Sequence, residues 1–256
     1  MIVREHWIMS DEQQPITEHL GELRRRIIWS LVFFFVALIG SFFYSQDVFL
    51  FIKQDLFSDY KIVILNPVDP IRIYMQISVI IALVISSPFW MYHLWRFVRP
   101  GLHPNEQRAA LIYIPVSLGL FLTGVAFGYF VIFPYILDFL VLLGGQMGLQ
   151  ENFSVQYAFS FLFGVILPLA LFFELPVITL FLTRIRLVTP DLLRKVRRYA
   201  YLGLVIVAAL ITPPEPIANI LVSIPLILLY EVSISISTIL SRRMERQDAE
   251  WEKENQ

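Results

Sequence analysis

Glu174 stands inside a long apolar run, in Phe172-Phe173-Glu174-Leu175-Pro176. A charged residue at bilayer depth costs about 2.5–3.5 kcal/mol on insertion scales, so such groups face protein or a wet cavity. Two roles fit it: a protonated carboxyl hydrogen-bonded to a neighbouring helix, or a polar spot for a substrate or partner helix. Glu231 lies in the last apolar run, near enough to its end to reach the interface. Glu22 and Glu106 differ again, because each borders cations: Arg24, Arg25 and Arg26 follow the first, Arg108 the second. A carboxylate offers a guanidinium a bidentate partner. On composition alone each reads as an ordinary interfacial charge.

Enzyme chemistry finds few of the groups it needs. The histidines, His6, His19, His93 and His103, all fall at or beyond the ends of apolar runs, so no base accompanies an intramembrane serine. There is no HExxH, no His/Asp cluster and no P-loop. Cysteine is absent, which removes thiol catalysis, thiolate metal sites and disulfides. No catalytic residue, metal or cofactor is expected. The net charge of -1 gives no reason to expect nucleic acid.

The elements that carry these residues follow from hydropathy. The chain is 57% hydrophobic and only 16% charged, against about 45–50% and 25% in soluble domains. Crossing the hydrocarbon takes roughly 20 apolar residues. Four runs qualify or come close: Ile27–Tyr44, Ile73–Met91, Ala109–Phe133 and Ala158–Leu182. The first has no small-x-small cleavage site after it and reads as a retained helix rather than a signal peptide. A further block, Tyr199–Ile239, is cut by Thr212-Pro213-Pro214-Glu215-Pro216, which cannot continue a helix. That makes six spans, at about 27–44, 73–91, 109–133, 158–182, 199–211 and 217–239. Seventeen Lys and Arg fall in alternate segments on one side, against Lys53, Lys61 and Arg72 on the other. The bias implies cytoplasmic N- and C-termini.

The connecting segments carry structure of their own. Ile16, Leu20, Leu23 and Ile27 share a helical face, predicting a short interfacial helix with Glu22 and Arg26 paired at i, i+4. A surface helix is expected around Val48–Leu56. A second apolar stretch, Ile136–Leu143, follows a bend at Pro134, so both outer segments read as packed caps. Pro88, Pro115, Pro168, Pro176 and Pro225 predict bent helices able to form a curved wall. Tyr199–Ile211 has 13 residues and Ile217–Tyr230 has 14, so each spans only about 20 Å. The expected architecture is an all-α membrane protein of six transmembrane helices, concave, with short fifth and sixth helices. One membrane domain covers 1–241, and a polar, frayed cytoplasmic tail covers 242–256.

Several segments together resemble the TatC family of twin-arginine protein translocases. His19-Leu20-Gly21-Glu22-Leu23-Arg24-Arg25-Arg26 resembles the family's H-L-x-E-L-R-x-R entry to its first helix. Ser87-Pro88, Tyr92, Leu94-Trp95, Phe97 and Pro100-Gly101-Leu102, followed by Glu106, resemble its first cytoplasmic loop. Phe173-Glu174-Leu175-Pro176-Val177 is similar to its F-E-x-P-V. Thr189-Pro190, Arg197-Arg198-Tyr199 and Thr212-Pro213-Pro214-Glu215 resemble the surroundings of its short fifth helix, and Ile224-Pro225 with Leu229-Tyr230-Glu231 resembles the sixth. Two departures stand out: Gln107 precedes Arg108 where the family often has two basic residues, and Glu215 replaces a frequent Asp.

The resemblance implies a non-enzymatic receptor for signal peptides bearing two arginines. With single-span partners of the TatA and TatB type it would move folded proteins across the cytoplasmic membrane on the proton-motive force. It implies signal-peptide binding by Glu22 and Glu106 with Arg24, Phe97 and Arg108 nearby, an intramembrane partner contact at Glu174, and partner docking on the fifth helix at Ala209, Leu210 and Thr212. Self-association is also expected. The alternative is a small proton-coupled secondary transporter using Glu174, although no inverted repeat is evident.

Overall fold

The computed structural model describes residues 16–98, 113–148 and 152–254. Apart from two three-residue strands, every regular element among the described residues is helical. Helix α1 (Ile16–Phe42) opens the chain, followed by α2 (Ser45–Leu56) and α3 (Asp69–Val98). Then come α4 (Tyr113–Phe127), a π-helical segment (Gly128–Ile132) and α5 (Phe133–Gln146). Helices α6 (Val155–Phe173), α7 (Leu175–Arg184), α8 (Pro190–Ile211) and α9 (Pro216–Glu254) complete it.

Among the described residues, five helical stretches are long and apolar enough to cross a membrane: Arg24–Phe42, Asp69–His93, Tyr113–Gln146, Val155–Arg184 and Pro216–Gln247. The sixth expected span, Tyr199–Ile211, lies in α8, whose first turns carry Arg194, Lys195, Arg197 and Arg198. Only the 13-residue C-terminal part of α8 is apolar, too short to meet the same length. The interfacial helix expected before the first span is not separate but is the first part of α1. Residues 242–254, expected to fray, continue α9 instead.

The third helical stretch departs most from expectation. Pro134 does not end the helical path; it sits in the first turn of α5. The adjustment lies one turn earlier, where the backbone widens to π geometry and Phe133 N–H reaches Gly128 O. The helical path therefore runs unbroken from Tyr113 to Gln146.

Close packing accompanies this segment. A Cβ on Gly124 would come 2.7 Å from the Cα of Ala170, and one on Gly128 would come 3.1 Å from that of Ile166. The spacing of these two glycines by four residues lets α4 and the π segment lie directly on α6. Small residues permit such an approach where lipid supplies no hydrophobic drive.

Among the described residues two larger apolar clusters hold the rest, beside a smaller one of Met91, Trp95, Val177 and Phe181. The first gathers Ile52 and Phe57 from α2 and its C-terminal end with Ile73, Ile77, Phe133 and Phe159. Phe57 meets both Phe133 and Phe159, with ring centroids 5.8 Å apart in each case. The segment after α1 is thus packed down as a cap. Its strand β1 (Lys61–Val63) pairs in parallel with β2 (Asn152–Ser154), tying the two caps together. The second cluster joins Ile132, Ile136, Val165 and Leu169 to Leu204, Ala208, Val222 and Leu226, fixing α8 and α9 against the centre.

Candidate functional site

The position of Glu174 follows from the proline two residues later. Pro176 cannot donate to a carbonyl one turn back, and its ring would collide with it. The helix breaks accordingly: α6 ends at Phe173, and α7 restarts at Leu175 with Pro176 in its first turn. Glu174 is the joint. Its N–H bonds Leu171 O at 3.1 Å, and its own carbonyl accepts from Val177 N at 3.0 Å and Ile178 N at 2.9 Å.

The break aims the side chain inward. Glu174 is 9% exposed. The Ser117 hydroxyl of α4, fully buried, donates to its carboxyl group and lies 2.8 Å from both oxygens. Of the two roles open to Glu174 in the sequence, this geometry meets the interhelical hydrogen bond directly. Ser117 carried no signal in the sequence: a serine in an apolar helix is common, and only the fold sets it opposite the carboxyl group.

Glu231 has a different environment. It accepts from Arg197 Nε at 2.7 Å and bonds Arg197 Nη2 and the Tyr201 hydroxyl as well. Arg197 and Tyr201 are one helical turn apart on α8, so a single face of that helix grips α9. Tyr230 adds a bond from its hydroxyl to Leu193 O at 2.9 Å. Glu231 therefore clamps α8 to α9 rather than simply reaching the interface.

The proline-rich turn between α8 and α9 closes on itself. Thr212 Oγ1 donates to Ala208 O at 2.9 Å, and the residue is buried. Glu215 caps α9, accepting from Ile217 N at 3.0 Å and Ala218 N at 2.5 Å. A carboxylate there satisfies otherwise orphaned N–H groups and suits the positive helix end. Of the three residues expected to dock a partner, Ala209 and Leu210 are exposed, Leu210 at 80%, whereas Thr212 is turned into the protein.

The signal-peptide residues are divided. Arg24 is exposed on α1. Glu22 lies on α1 and Phe97 on α3, but their side chains fall outside the described residues, and so do Glu106 and Arg108 entirely. No cluster of three or more His, Cys, Asp or Glu able to hold a metal occurs among the described residues.

Fold and site together define a multi-pass, all-helical membrane protein in which one carboxyl group is buried at a helix break within an apolar stretch. A family model described as "Sec-independent protein translocase protein (TatC)" matches residues 18–225. The TatC protein of Halalkalibacterium halodurans is 39% identical over 244 residues, covering 93% of this chain and 94% of its own. TatCd of Bacillus subtilis is 40% identical over 240 residues, with 94% and 98% covered. A crystal structure titled "Twin Arginine Translocase Receptor- TatC" is 31% identical with a TM-score of 0.74, over 87% of this chain and 99% of that one. A second, in DDM, has a TM-score of 0.75 at 32% identity, over 86% and 99%. The chain belongs to the TatC family and is a component of the twin-arginine, Sec-independent protein translocase.

Proposed function

We propose that this chain is the receptor subunit of the translocase, that Glu22 and Glu106 bind the arginine pair of signal peptides, and that it organises TatA-type and TatB-type single-span partners. Transport of folded cargo would draw on the proton-motive force, across a cytoplasmic membrane that the chain crosses six times with both termini inside. The observation that carries the reading is the packing of α1 beside α3. Arg25 and Arg26 share one cavity with His93 and Arg96. Glu22 is one helical turn before Arg26, and residue 106 follows the end of α3 by eight residues, a reach of under about 29 Å. In this reading both carboxylates stand at the same end of that helix pair. The printed name of the similar crystal structure, a twin-arginine translocase receptor, supports the same reading.

Two guanidinium groups ask for carboxylates near the level where the peptide's apolar stretch enters lipid. Lysine cannot reproduce their planar fork. Arg24 and Arg108 would keep the empty carboxylates ionised, and Phe97 would line the approach. Leu210 and Ala209 give a single-span partner an apolar surface on α8, backed by the exposed Tyr199, Leu202 and Ile206. Thr212 contributes by ending that surface rather than by contact. Self-association of the receptor is part of the proposal.

Photocrosslinking of a twin-arginine signal peptide to this chain tests the site. Glu106→Ala should abolish the crosslink while leaving the protein inserted, and Glu22→Ala should weaken it. Undiminished crosslinks at the arginine pair in the double variant would remove the site assignment without touching the family.

A further inference from the structure

Helices α1 and α3 touch unevenly along their length. Phe33 stacks on Phe89, with ring centroids 4.3 Å apart and 17° between the planes. Toward α2, Phe42 meets Tyr74 edge-on at 6.3 Å. Between these two pairs α1 carries the small residues Ala37, Gly40 and Ser41. Rings hold the helices apart at two points while small side chains face the interval, so a slot remains. It measures about 490 Å³ and is lined by Ala37, Gly40 and Ser41 of α1, by Tyr44, and by Ile81 and Ile85 of α3. Nothing lies within 4 Å of where a Cβ on Gly40 would stand.

Size and surroundings choose the occupant. From Ala37 to Tyr44 the chain rises about 10 Å, so this volume corresponds to a mean width of about 8 Å. An α-helix with its side chains is about 10–12 Å across and is too wide to enter. A single hydrocarbon chain is narrower, since contacting carbons pack about 3.5–4.0 Å apart. The slot also runs into the exposed apolar side of two spans, where Val36 is 63%, Ile39 66% and Ile85 49% exposed. Its hydroxyl groups stand toward the α2 end. Tyr44 is 67% exposed, an amphipathic ring of the kind that sits at headgroup level. Ser41 is 3% exposed, and its Oγ has no hydrogen-bond partner among the described residues.

We propose that this slot binds one fatty acyl chain of a glycerolipid from the leaflet at the α1–α2 corner, with the chain's ester group at the level of the Tyr44 and Ser41 hydroxyls. The first part of the chain fills the slot, and the rest follows Val36 and Ile39 along α1. An ester carbonyl gives a hydroxyl donor an acceptor where water is scarce. Recognition is of the chain and its ester, so headgroup charge plays no part. The proposal does not depend on Glu22 or Glu106 binding signal peptides.

Photolabelling of the full chain in liposomes tests it. The probe is phosphatidylcholine, or phosphatidylglycerol, bearing a diazirine in the ester-proximal half of one chain, and mass spectrometry locates the labelled residues. Both probes should label the Ala37–Ser41 and Ile81–Ile85 segments well above Leu122 and Val131, which are exposed at 44% and 43% on another span. Gly40→Leu puts a side chain into the open slot, and Ile85→Phe fills it from α3. Each should lower labelling of these segments by about tenfold, the effect of overpacking a fitted space, and leave Leu122 and Val131 labelled as before. Far-UV circular dichroism checks that both variants keep their helices. Labelling that merely follows exposure, that persists in both filled variants, or that needs the anionic headgroup would overturn the proposal. Gly40→Cys, in a chain with no other cysteine, should stay monomeric on oxidation in membranes; disulfide-linked dimers would assign the slot to a second copy instead.

Discussion

Replacing Ser117 by alanine removes one oxygen from a fully buried position and leaves Glu174 facing it without a donor. Two contributions set the cost. The interhelical bond itself, by the range seen in membrane proteins, contributes about 0.6–2 kcal/mol. The carboxyl group, only 9% exposed, then loses its satisfied state, and an unsatisfied buried polar group costs about 1–3 kcal/mol. These overlap, so Ser117→Ala should destabilise the protein by about 1–3 kcal/mol. In Glu174→Ala the serine hydroxyl can turn back to a carbonyl of its own helix. The double variant should then lie close to Glu174→Ala alone, giving a coupling equal to the Ser117→Ala effect, about 1–3 kcal/mol. Reversible unfolding in mixed micelles, followed by far-UV circular dichroism for the four proteins of the cycle, measures it. Additive effects, with a coupling under about 0.3 kcal/mol, would refute the claim that the bond joins α4 to the α6–α7 joint. Export of a folded reporter by the same variants separates two uses of the carboxyl group. A partner contact predicts that Glu174→Ala exports far less than its stability implies. A purely structural bond predicts that export follows stability.

Two further outcomes follow from the geometry. Gly124→Leu should destabilise the protein by about 1–3 kcal/mol by overpacking, since even a Cβ would sit 2.7 Å from backbone at Ala170; unchanged melting in detergent would contradict the packing of α4 on α6. A spin label at Pro214→Cys should remain accessible to a water-soluble relaxation agent in liposomes, because 13 apolar residues of α8 reach only about 20 Å; burial as deep as a label at mid-α3 would contradict a locally thinned bilayer.

Much was written locally. The apolar runs predict the helices because hydrocarbon leaves backbone groups no partner except the helix itself. The Thr212–Pro216 break, the α2 cap and the interruption around Pro176 are covalent facts about proline and hydropathy, and the structure keeps them. The family was legible for the same reason, since its motifs sit at these punctuation points. What the sequence could not assign was who faces whom. Ser117 is one serine among many until α4 lies on α6, and Gly124 and Gly128 are mere spacers until Ala170 and Ile166 arrive against them. Glu231 read as a residue reaching the interface becomes a clamp because Arg197 and Tyr201 present one helical face to it. Thr212 is buried, its hydroxyl bonded to Ala208 O of its own helix, and nothing in its local sequence says so. The π segment just before Pro134, too, carried no signal in the sequence; it lies where Gly128 meets Ile166 of α6. Period and composition fix which elements exist, since those depend on neighbours along the chain. Pairings across the chain depend on side-chain shape meeting side-chain shape, and only the packed tertiary structure decides them.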